Sequence, residues 1–224
     1  MKEPRYLRNG ILEDEEQEIL KAKKVAVIGC GGLGGYVVEM LARLGVGHLV
    51  LCDGDSFDET NLNRQLLAIE DNLGKNKAME AEERARQINS SVRVDVHPDF
   101  LTLDNGRDVL AGCDLVIDAV DGSMNKILIE NICEEMNLPF VHGAIAGWFG
   151  HFGIVFPGDG TLKKLYKGEE TVQNEYGNPS FTPALIASLQ VSEATKYLLN
   201  KGEVMSGRLM MVDLFHNEVE YIEV

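Results

Sequence analysis

Cysteine is scarce and poorly spaced for a metal site or a disulfide network. The 224-residue sequence has four cysteines, at positions 30, 52, 113 and 133, and none beyond. No two of them form the CxxC pair of a structural zinc site, and their density is too low for a disulfide-stabilised fold. We therefore predict that the protein binds no zinc and resides in the reducing environment of the cytoplasm.

The sequence also lacks long apolar runs and has fewer basic than acidic side chains. No stretch is long and apolar enough to span a bilayer, and the opening residues, MKEPRYLRN, contain no apolar signal core. The 21 Lys and Arg side chains are outnumbered by 36 Asp and Glu, so the net charge is −15. An acidic chain has little tendency to bind nucleic acid or an anionic membrane, and a polyanionic ligand must be held by a few placed cations. Neither a membrane nor nucleic acid is an expected partner.

The most informative feature that is present is a glycine-rich turn after an apolar run, VAVIGCGGLGG. Its spacing, Gly29-x-Gly31-x-x-Gly34 with Gly32 between, is typical of a strand that delivers nucleotide phosphates to a helix N-terminus. Glycine is expected because a Cβ would block the tight turn and the approach of a phosphate. Asp53 ends the next apolar run, 22 residues after Gly31, where a carboxylate can bind ribose hydroxyls. These residues predict a nucleotide site.

Apolar runs of strand length alternate with segments of helix length along the chain. This alternation predicts an α/β fold with a Rossmann-like, mostly parallel sheet, helices on both faces and antiparallel strands at the C-terminal end. No linker or repeat interrupts the sequence, so we expect a single domain over residues 1–224. Strands are predicted at residues 24–28, 48–52, 92–96, 115–119, 138–142, 150–156, 209–212 and 219–224. Helices are predicted at residues 10–23 (with Leu12 and Leu20 facing the domain), 33–44, 75–87 (facing solvent), 124–136 and from near Pro183. Residues 157–180 show no clear periodicity and are predicted to form a long loop.

A second set of polar residues follows Asp53, the predicted ribose contact. Asp55 lies two residues after Asp53, on the same side of an extended chain, and can assist at the ribose. The stretch NLNRQ then adds Asn61, Arg64 and Gln65. A dinucleotide-binding enzyme has no need of an amide and a fixed positive charge at this place. On local sequence alone, Asn61 is also a good candidate for an Asx turn or a helix cap.

Asp121 directly follows the apolar run 115–119. It is therefore expected at the carboxyl edge of the sheet, where ligands bind in open α/β folds. Mg²⁺ takes one or two carboxylates together with phosphate oxygens, which suits a single aspartate in this position. The alternative is an N-cap for the helix that begins near Met124. Asp118 lies within the same run, and its position there indicates no particular role.

Taken together, these motifs resemble those of the ThiF/MoeB/HesA family, bacterial relatives of ubiquitin-activating enzymes. The resemblance covers nearly the whole chain and rests on the segments RYLRN, GCGGLG, DGDSFDETNLNRQ, GKNK, IDAVD and PALIASLQVSEATKYL. Enzymes of this family adenylate the C-terminal carboxylate of small ubiquitin-like sulfur carriers. The resemblance therefore implies an ATP-dependent adenylyltransferase with ATP and Mg²⁺ as cofactors, a sulfur carrier ending in Gly-Gly as its partner, and a homodimer.

The resemblance also implies roles for individual residues. It places Asn61, Arg64 and Lys77 on the ATP phosphates and gives Asp121 to the magnesium ion. It places Arg8, from the RYxR motif, on the phosphates of the neighbouring subunit. It makes residues 1–22 an N-terminal helical arm and residues 158–180 a crossover loop over the carrier's tail. On sequence alone, Lys77 could equally be a surface cation and Arg8 a solvated arginine without a role.

The chain also departs from the family pattern. Many relatives carry two CxxC pairs that bind zinc, and some carry a cysteine in the crossover loop, but both features are missing here. The cysteines lie in or beside apolar segments, so we expect inert, buried thiols. Lys126 and Gly122 stand where relatives often have Arg and Asn. These changes keep the charge pattern but alter the loop after Asp121.

Trp148, Phe149 and Phe152 cluster among glycines in AGWFGHFG. Such groups can form the walls of a narrow channel for a tail that ends in two glycines. They can equally be ordinary core side chains next to an apolar strand.

Other functions fit parts of the sequence. A tRNA-modifying dehydratase of the same superfamily suits the NRQ and RQIN stretches, but fits the acidic composition and the RYLRN start less well. An NAD-dependent oxidoreductase needs only the glycine turn and Asp53, and it leaves Asn61, Arg64, Lys77 and Asp121 unexplained. A non-catalytic carrier-binding scaffold has no need of the charges that face the phosphates.

Overall fold

The computed structural model describes residues 3–169 and 177–224. The strands are β1 (Lys24–Ile28), β2 (His48–Cys52), β3 (Arg93–His97), β4 (Leu115–Asp118), β5 (Phe140–Ala146), β6 (Phe149–Val155), β7 (Arg208–Asp213) and β8 (Glu218–Glu223). The helices are α1 (Asp14–Ala22), α2 (Gly32–Leu44), α3 (Lys77–Ile88), α4 (Gly106–Val109), α5 (Ser123–Met136), α6 (Thr161–Tyr166) and α7 (Phe181–Leu199). Every predicted strand and helix has a counterpart within a few residues of its predicted bounds. Among the described residues, no helix has the length and apolar composition needed to cross a membrane.

The strands form one eight-stranded sheet in the order β3-β2-β1-β4-β5-β6-β7-β8. Strands β1 to β5 pair in parallel, whereas β6, β7 and β8 extend the sheet as antiparallel strands. The strand order reverses between β1 and β4, so the loops after these two strands diverge and open a crevice at the carboxyl edge of the sheet. The predicted fold is confirmed.

Alternate residues of the central strands enter different cores, because successive side chains of a strand point to opposite faces. Val25 and Val27 of β1 belong to a core that includes α2, α3 and α7. Ala26 and Ile28 belong to a second core that includes α4, α5 and α6. Because helices cover both faces, the central strands are apolar at nearly every position.

Two element predictions need correction. Helix α3 is not purely solvent-facing, since Ala78, Ala81 and Ala85 are fully buried and give it a flat face that packs in the first core. Most other residues of α3 are polar or charged, so the sequence pattern did not show this small apolar face. Strand β5 continues to Ala146 rather than ending near residue 142, because β6 folds back on it through a turn at Gly147, where φ is +61°.

Helix α6 lies in the segment that the sequence predicts as a loop. The buried Glu130 carboxylate of α5 accepts hydrogen bonds from the backbone N–H groups of Leu162 (2.9 Å) and Lys163 (3.0 Å). This contact caps the helix from outside its own segment. A helix of six residues is too short to show periodicity and depends on tertiary contacts. The assignment of residues 158–180 as a crossover loop stays a prediction, and its residues 170–176 lie outside the described ranges.

The beginning of the chain packs against the first core. Leu12 and Leu20 are buried, as predicted. Tyr6 is also buried, and its hydroxyl accepts a hydrogen bond from Asn89 Nδ2 (2.8 Å). Its ring lies against Gly45 at the C-terminal end of α2. These contacts fix the predicted arm at the end of α2 that is remote from the crevice.

Candidate active site

The crevice at the reversal of strand order is a cleft of about 950 Å³. It is framed by the loops after β1, β2 and β4, and β5 and β6 close its inner end. The candidate residues that line it are Gly29, Gly31, Gly32, Asp53, Asp55, Arg64, Gln65, Lys77 and Asp121. Residues far apart in sequence therefore meet in one place. The candidates that do not line it are Arg8, Gly34 and Asn61.

The glycines of the turn serve two purposes. Gly29 has φ of +91°, and a Cβ there would lie 2.6 Å from the backbone oxygen of Ala119. A Cβ on Gly34 would lie 1.8 Å from the Gly29 oxygen, so both positions need glycine because the backbone packs too closely for a side chain. At Gly31 and Gly32 the nearest atoms to an added Cβ would be 3.5 Å and 3.9 Å away. Open backbone at the N-terminus of α2 is therefore accessible to a phosphate.

Asp53 connects the second strand to the glycine turn. Its carboxylate accepts hydrogen bonds from the backbone N–H groups of Cys30 (2.7 Å) and Asp55 (2.8 Å). Burial raises the pKa of Asp53 above its usual value, although both hydrogen bonds act in the opposite direction. Each carboxylate oxygen can accept a further hydrogen bond. Asp53 is thus a fixed acceptor on the cleft wall, as a ribose contact requires.

Lys77 is a buried cation at an electrostatically unfavourable position. It is the first residue of α3, after the N-cap residue Asn76, where the helix dipole disfavours positive charge. Its Nζ lies 3.2 Å from a carboxylate oxygen of Asp55. The Lys77 side chain is 9% exposed and the Asp55 side chain 56% exposed, so the ammonium lies below the cleft surface. Lys77 is therefore not the solvated surface cation that the sequence left open.

The hydrogen bonds of Arg64 go to neutral acceptors, and its charge acts on Asp58 only from a distance beyond an ion pair. Its Nη1 donates to the backbone oxygen of Thr60 (3.1 Å) and to Oδ1 of Asn63 (3.0 Å), both neutral acceptors. Within the described ranges, no acidic side chain forms an ion pair with it. Its Nε lies 4.0 Å from the position that a Cβ would take on Gly32. A full positive charge thus lies beside the open backbone of the glycine turn.

Gln65 and Asn61 are both buried, but only Gln65 faces the cleft. The Gln65 amide lies 3.5 Å from the Cβ position of Gly31, and its Oε1 is buried without a hydrogen-bond partner in the described chain. Asn61 bonds within its own turn: its Oδ1 accepts from the Asp58 N–H (3.3 Å), and its Nδ2 donates to Asp58 Oδ1 (3.2 Å). This is the cap arrangement that the sequence allowed as the alternative. A phosphate contact of Asn61 stays a prediction.

Asp121 lies at the rim of the cleft, between β4 and α5. The N-cap of α5 is Gly122 rather than Asp121, so no side chain caps the N-terminus of this helix. The Asp121 backbone oxygen accepts from Asn125 Nδ2 (2.9 Å). Its carboxylate is exposed, and nothing in the described part of the chain donates to it. Asp121 is therefore free to bind a ligand rather than engaged in capping the helix.

Arg8 is remote from the cleft of its own chain. Tyr6, two residues earlier, packs at the C-terminal end of α2, whereas the N-terminal end of α2 forms the glycine turn. The 13 residues of α2 span about 20 Å at about 1.5 Å per residue. An exposed arginine two residues from Tyr6 does not cover that distance.

A buried polar cluster lies directly beneath the cleft, and the sequence alone assigns it no role. Asp118 is fully buried, with Lys126 Nζ 3.2 Å from both of its carboxylate oxygens and His142 Nδ1 2.6 Å from one of them. Lys126 also donates to the Gly143 oxygen (2.8 Å), and Gln190 donates to the Asp118 backbone oxygen (2.8 Å). Burial would raise the pKa of Asp118, but Lys126 and His142 outweigh it and hold that pKa below its usual value. The cluster joins β4, β5, α5 and α7 beneath Asp121. An aspartate inside an otherwise apolar strand was the only signal of it in the sequence.

The cysteines are poorly suited to thiol chemistry. Three are buried and Cys113 is partly buried. Burial raises the pKa of Cys52 and Cys133 to about 12 and that of Cys113 to about 11. Such thiols stay protonated at neutral pH. Within the described ranges, no three His, Cys, Asp or Glu side chains come together as a metal site, and the absence of zinc stays a prediction.

The aromatic residues of AGWFGHFG divide between the core and the cleft rim. Phe152 is buried in the first core, and Phe149 lines the cleft. Trp148 contacts Phe181 and Phe215, with ring centroids 4.6 Å and 5.7 Å away, yet stays 44% exposed. The core interpretation therefore holds for Phe152, while the others form an exposed aromatic rim.

The sheet, the glycine turn and the cations of the cleft define a Rossmann-like protein with a site suited to a phosphorylated nucleotide. The model of the ThiF family matches residues 5–224. The chain belongs to the ThiF family, and the predicted family is confirmed.

Named relatives point to adenylating enzymes. The SAMP-activating enzyme E1 of Haloferax volcanii is 33% identical over 218 residues, which covers 93% of this chain and 80% of that protein. The sulfur carrier protein adenylyltransferase of Thermus thermophilus is 33% identical over 223 residues, covering 93% of this chain and 82% of the relative. The adenylyltransferase and sulfurtransferase MOCS3-1 of Zea mays is 31% identical over 228 residues, but this chain spans only 49% of its length. These names agree with the predicted adenylyltransferase class.

Solved structures confirm the fold. The crystal structure of E. coli MccB with ATP superposes with a TM-score of 0.80 at 23% identity, covering 99% of this chain and 72% of MccB. The structure of MccB with MccA-N7isoASN gives a TM-score of 0.84 at 22% identity.

Proposed function

We propose that this protein is an ATP-dependent adenylyltransferase that activates the C-terminal carboxylate of a ubiquitin-like sulfur carrier ending in Gly-Gly. Its products are the carrier adenylate and pyrophosphate. The observation that carries the proposal is the meeting of two cations, Arg64 and Lys77, with the open backbone of Gly31 and Gly32 and the free carboxylate of Asp121 in one cleft. The names of the relatives support the same reaction.

The glycine turn and the second strand bind the nucleotide. Backbone N–H groups at Gly31 and Gly32 bind phosphate oxygens at the N-terminus of α2. Asp53 accepts hydrogen bonds from ribose hydroxyls, and Asp55 assists at the exposed side of the same site. Gln65 adds its amide beside Gly31.

Catalysis comes from positioning and from neutralising charge. A carboxylate attacks the α-phosphate while pyrophosphate leaves, so side chains have little bond chemistry to perform. Arg64 supplies positive charge from a guanidinium whose hydrogen-bond partners are neutral. Lys77 shares its charge with Asp55 and turns toward the phosphates when ATP binds. Asn61 reaches a phosphate only after leaving its hydrogen bonds with Asp58.

Asp121 holds the Mg²⁺ ion. Its exposed carboxylate, to which nothing in the described chain donates, is the hard oxygen ligand that Mg²⁺ takes together with phosphate oxygens. Asp118, at the end of β4, is committed to Lys126 and His142. When bound, the ion neutralises negative charge on the leaving pyrophosphate.

The enzyme acts as a homodimer in which Arg8 serves the neighbouring subunit. Arg8 is too far from its own cleft to contact ATP there. An arginine brought by a second subunit neutralises charge on the leaving group in the manner of an arginine finger. The arm of residues 1–22 delivers it, and residues 158–180 cover the carrier's tail. The free thiols agree with a cytoplasmic location.

The alternatives explain less of the cleft. An oxidoreductase using NAD does not need the Lys77–Asp55 pair or Arg64 beside the glycine turn. A binding scaffold has no use for a buried cation at a helix N-terminus. The related tRNA-modifying dehydratase would need a basic surface that a net charge of −15 does not offer.

One experiment separates these functions. The protein is incubated with ATP, Mg²⁺, labelled pyrophosphate and candidate carriers ending in Gly-Gly. We expect carrier-dependent exchange of pyrophosphate into ATP and no reduction of NAD. Tight NAD binding without exchange for any carrier would refute the proposal.

A further inference from the structure

Two histidines at the inner end of the cleft take no part in the reaction proposed above. His142, on β5, is fully buried, and His151, on β6, lines the cleft, with ring centroids 5.0 Å apart. Each ring has a buried nitrogen without a hydrogen-bond partner in the described chain: Nε2 of His142 and Nδ1 of His151. Buried polar atoms without partners are rare in folded proteins, so this pair calls for an explanation.

The Asp118 carboxylate fixes the proton on His142. Because Lys126 and His142 hold the pKa of Asp118 low, the carboxylate is ionised and can only accept. His142 therefore donates through Nδ1 at 2.6 Å. Burial lowers the pKa of His142, so its Nε2 carries no proton and is an acceptor. A neutral imidazole can accept at one of its ring nitrogens. Because Nδ1 of His151 is buried, Nε2 is the nitrogen of this ring that a ligand in the cleft can reach.

The part of the cleft beside His151 combines small residues with larger uncharged side chains. Ala144 and Ala146 leave room in front of His151, and Phe149 and Tyr166 also line the cleft. Lys126 also reaches it, but Asp118 neutralises this ammonium at 3.2 Å. Burial, above all, lowers the pKa of His151 to about 3, so its imidazole is neutral at physiological pH. Such a surface offers little to a phosphate or a carboxylate, but it suits an extended polypeptide of small residues whose backbone needs hydrogen-bond partners.

We propose that His151 holds the polypeptide tail that carries the reacting carboxylate, its Nε2 accepting a hydrogen bond from a backbone N–H of that tail. The inference rests on the proposed function, because it names a residue that positions the carrier in the same cleft. Tyr166, which lines the cleft with its ring edge toward His142 at 6.3 Å, closes the space beside the two histidines. His151 thus sets the position of the carrier's tail and takes no part in neutralising the phosphates.

The test compares His151→Ala with His151→Gln in the full-length enzyme, with the carrier and ATP varied separately. We expect His151→Ala to raise the KM for the carrier about tenfold, the effect of one lost hydrogen bond, and to leave the KM for ATP unchanged. His151→Gln keeps an amide oxygen as acceptor and should restore most of the carrier KM. His48→Ala, on β2 and outside the cleft lining, is the matched control and should change neither value.

The proposal is overturned if His151→Ala leaves the KM for the carrier unchanged, or if it raises the KM for the carrier and the KM for ATP together. It is also overturned if His151→Gln does not bring the KM for the carrier back toward the wild-type value. A wild-type protein without carrier-dependent exchange would refute the proposed adenylation instead. In that case, calorimetry with a synthetic peptide ending in Gly-Gly tests His151 alone. About tenfold weaker peptide binding by His151→Ala supports it, and equal binding overturns it.

Discussion

The ammonium of Lys77 lies 3.2 Å from the carboxylate of Asp55, although the helix that begins at Lys77 disfavours a cation there. Asp55 offsets this cost and holds the charge below the cleft surface. A phosphate that enters the cleft can take over the role of Asp55. The pair therefore keeps a cation at the cleft, where we propose that it binds a phosphate.

Lys77→Ala should lower the rate of pyrophosphate exchange by about 10²–10³, the usual cost of losing one electrostatic contact to a charged transition state. The urea unfolding midpoint should change little, because the substitution removes a cation from a helix N-terminus. Lys75→Ala is the matched control, since Lys75 is exposed and pairs with Glu80 at 3.5 Å. Equal exchange rates in the two variants would contradict a phosphate role for Lys77.

Asp121→Ala should lower adenylation by several orders of magnitude, because the carboxylate that we propose as the Mg²⁺ ligand is gone. The free energy of unfolding should change by less than about 0.5 kcal/mol, since the carboxylate makes no hydrogen bond to the described chain. Loss of a helix cap would instead cost about 1 kcal/mol and leave activity largely intact. Exchange assays and urea unfolding distinguish the two outcomes, with the exposed Asp108→Ala as control.

The free energy of unfolding should fall as the pH is lowered from about 6.5, the ordinary pKa of histidine. Burial lowers the pKa of His142, and that of His151 to about 3, so both stay neutral in the fold while the unfolded chain takes up protons. His151 contributes a slope of about 1.4 kcal/mol per pH unit between 6.5 and its lowered pKa, and His142 contributes in the same direction.

His151→Gln should remove its share of this slope, and urea unfolding from pH 7.5 to 5 measures the change. Asp118 acts over a different pH range, because its pKa is lowered in the fold. Its contribution to the free energy of unfolding is complete above the ordinary pKa of aspartate and is lost only as the pH falls through the lowered pKa. An unchanged slope in His151→Gln would show that this ring is protonated in the native state.

Mixing two inactive variants, Arg8→Ala and Asp121→Ala, should restore activity if Arg8 serves the neighbouring subunit. In a mixed dimer one site then lacks both groups and the other is complete. Equal amounts with random exchange should recover about a quarter of the wild-type activity. A monomeric protein, or no recovery despite proven subunit exchange, would disprove action across the dimer.

The purified protein should contain no stoichiometric zinc, because its sequence has no CxxC pair and its thiols stay protonated at neutral pH. Metal analysis by mass spectrometry measures this directly. One zinc per chain would refute the prediction and would require His or carboxylate ligands.

The fold was predictable because its signals are local. The apolar runs at Lys24–Ile28 and His48–Cys52 have strand length, and Gly29 and Gly34 mark the turn between strand and helix. Helix α6 was not predictable, because the carboxylate that caps it belongs to Glu130, about thirty positions away in the sequence. The buried alanine face of α3 was also missed, because alanines among many charged residues give a weak apolar pattern.

The candidate site was predictable where residues follow the ends of strands. Asp53 and Asp121 come directly after apolar runs, and the structure puts both in the cleft. The burial of Lys77 and the cluster around Asp118 depend on contacts between distant segments. Asp118, Lys126 and His142 meet only when β4, α5 and β5 are assembled. A sequence pattern does not record such contacts.

The arrangement of the sheet has a consequence for how the chain folds. Val25 of β1 pairs with Leu115 of β4, so the central pairing has to wait for a long intervening segment, whereas the β5–β6 and β7–β8 hairpins join neighbouring segments. Helix α2 packs against α7, which begins only at Phe181. On the ribosome, β1 and α3 can cover part of α2 early, but the surface of α2 that contacts α7 stays uncovered until the chain has been synthesised through Leu199. Docking of α7 completes this core, and we expect the nascent chain to be more open to aggregation and proteolysis before that step than after it.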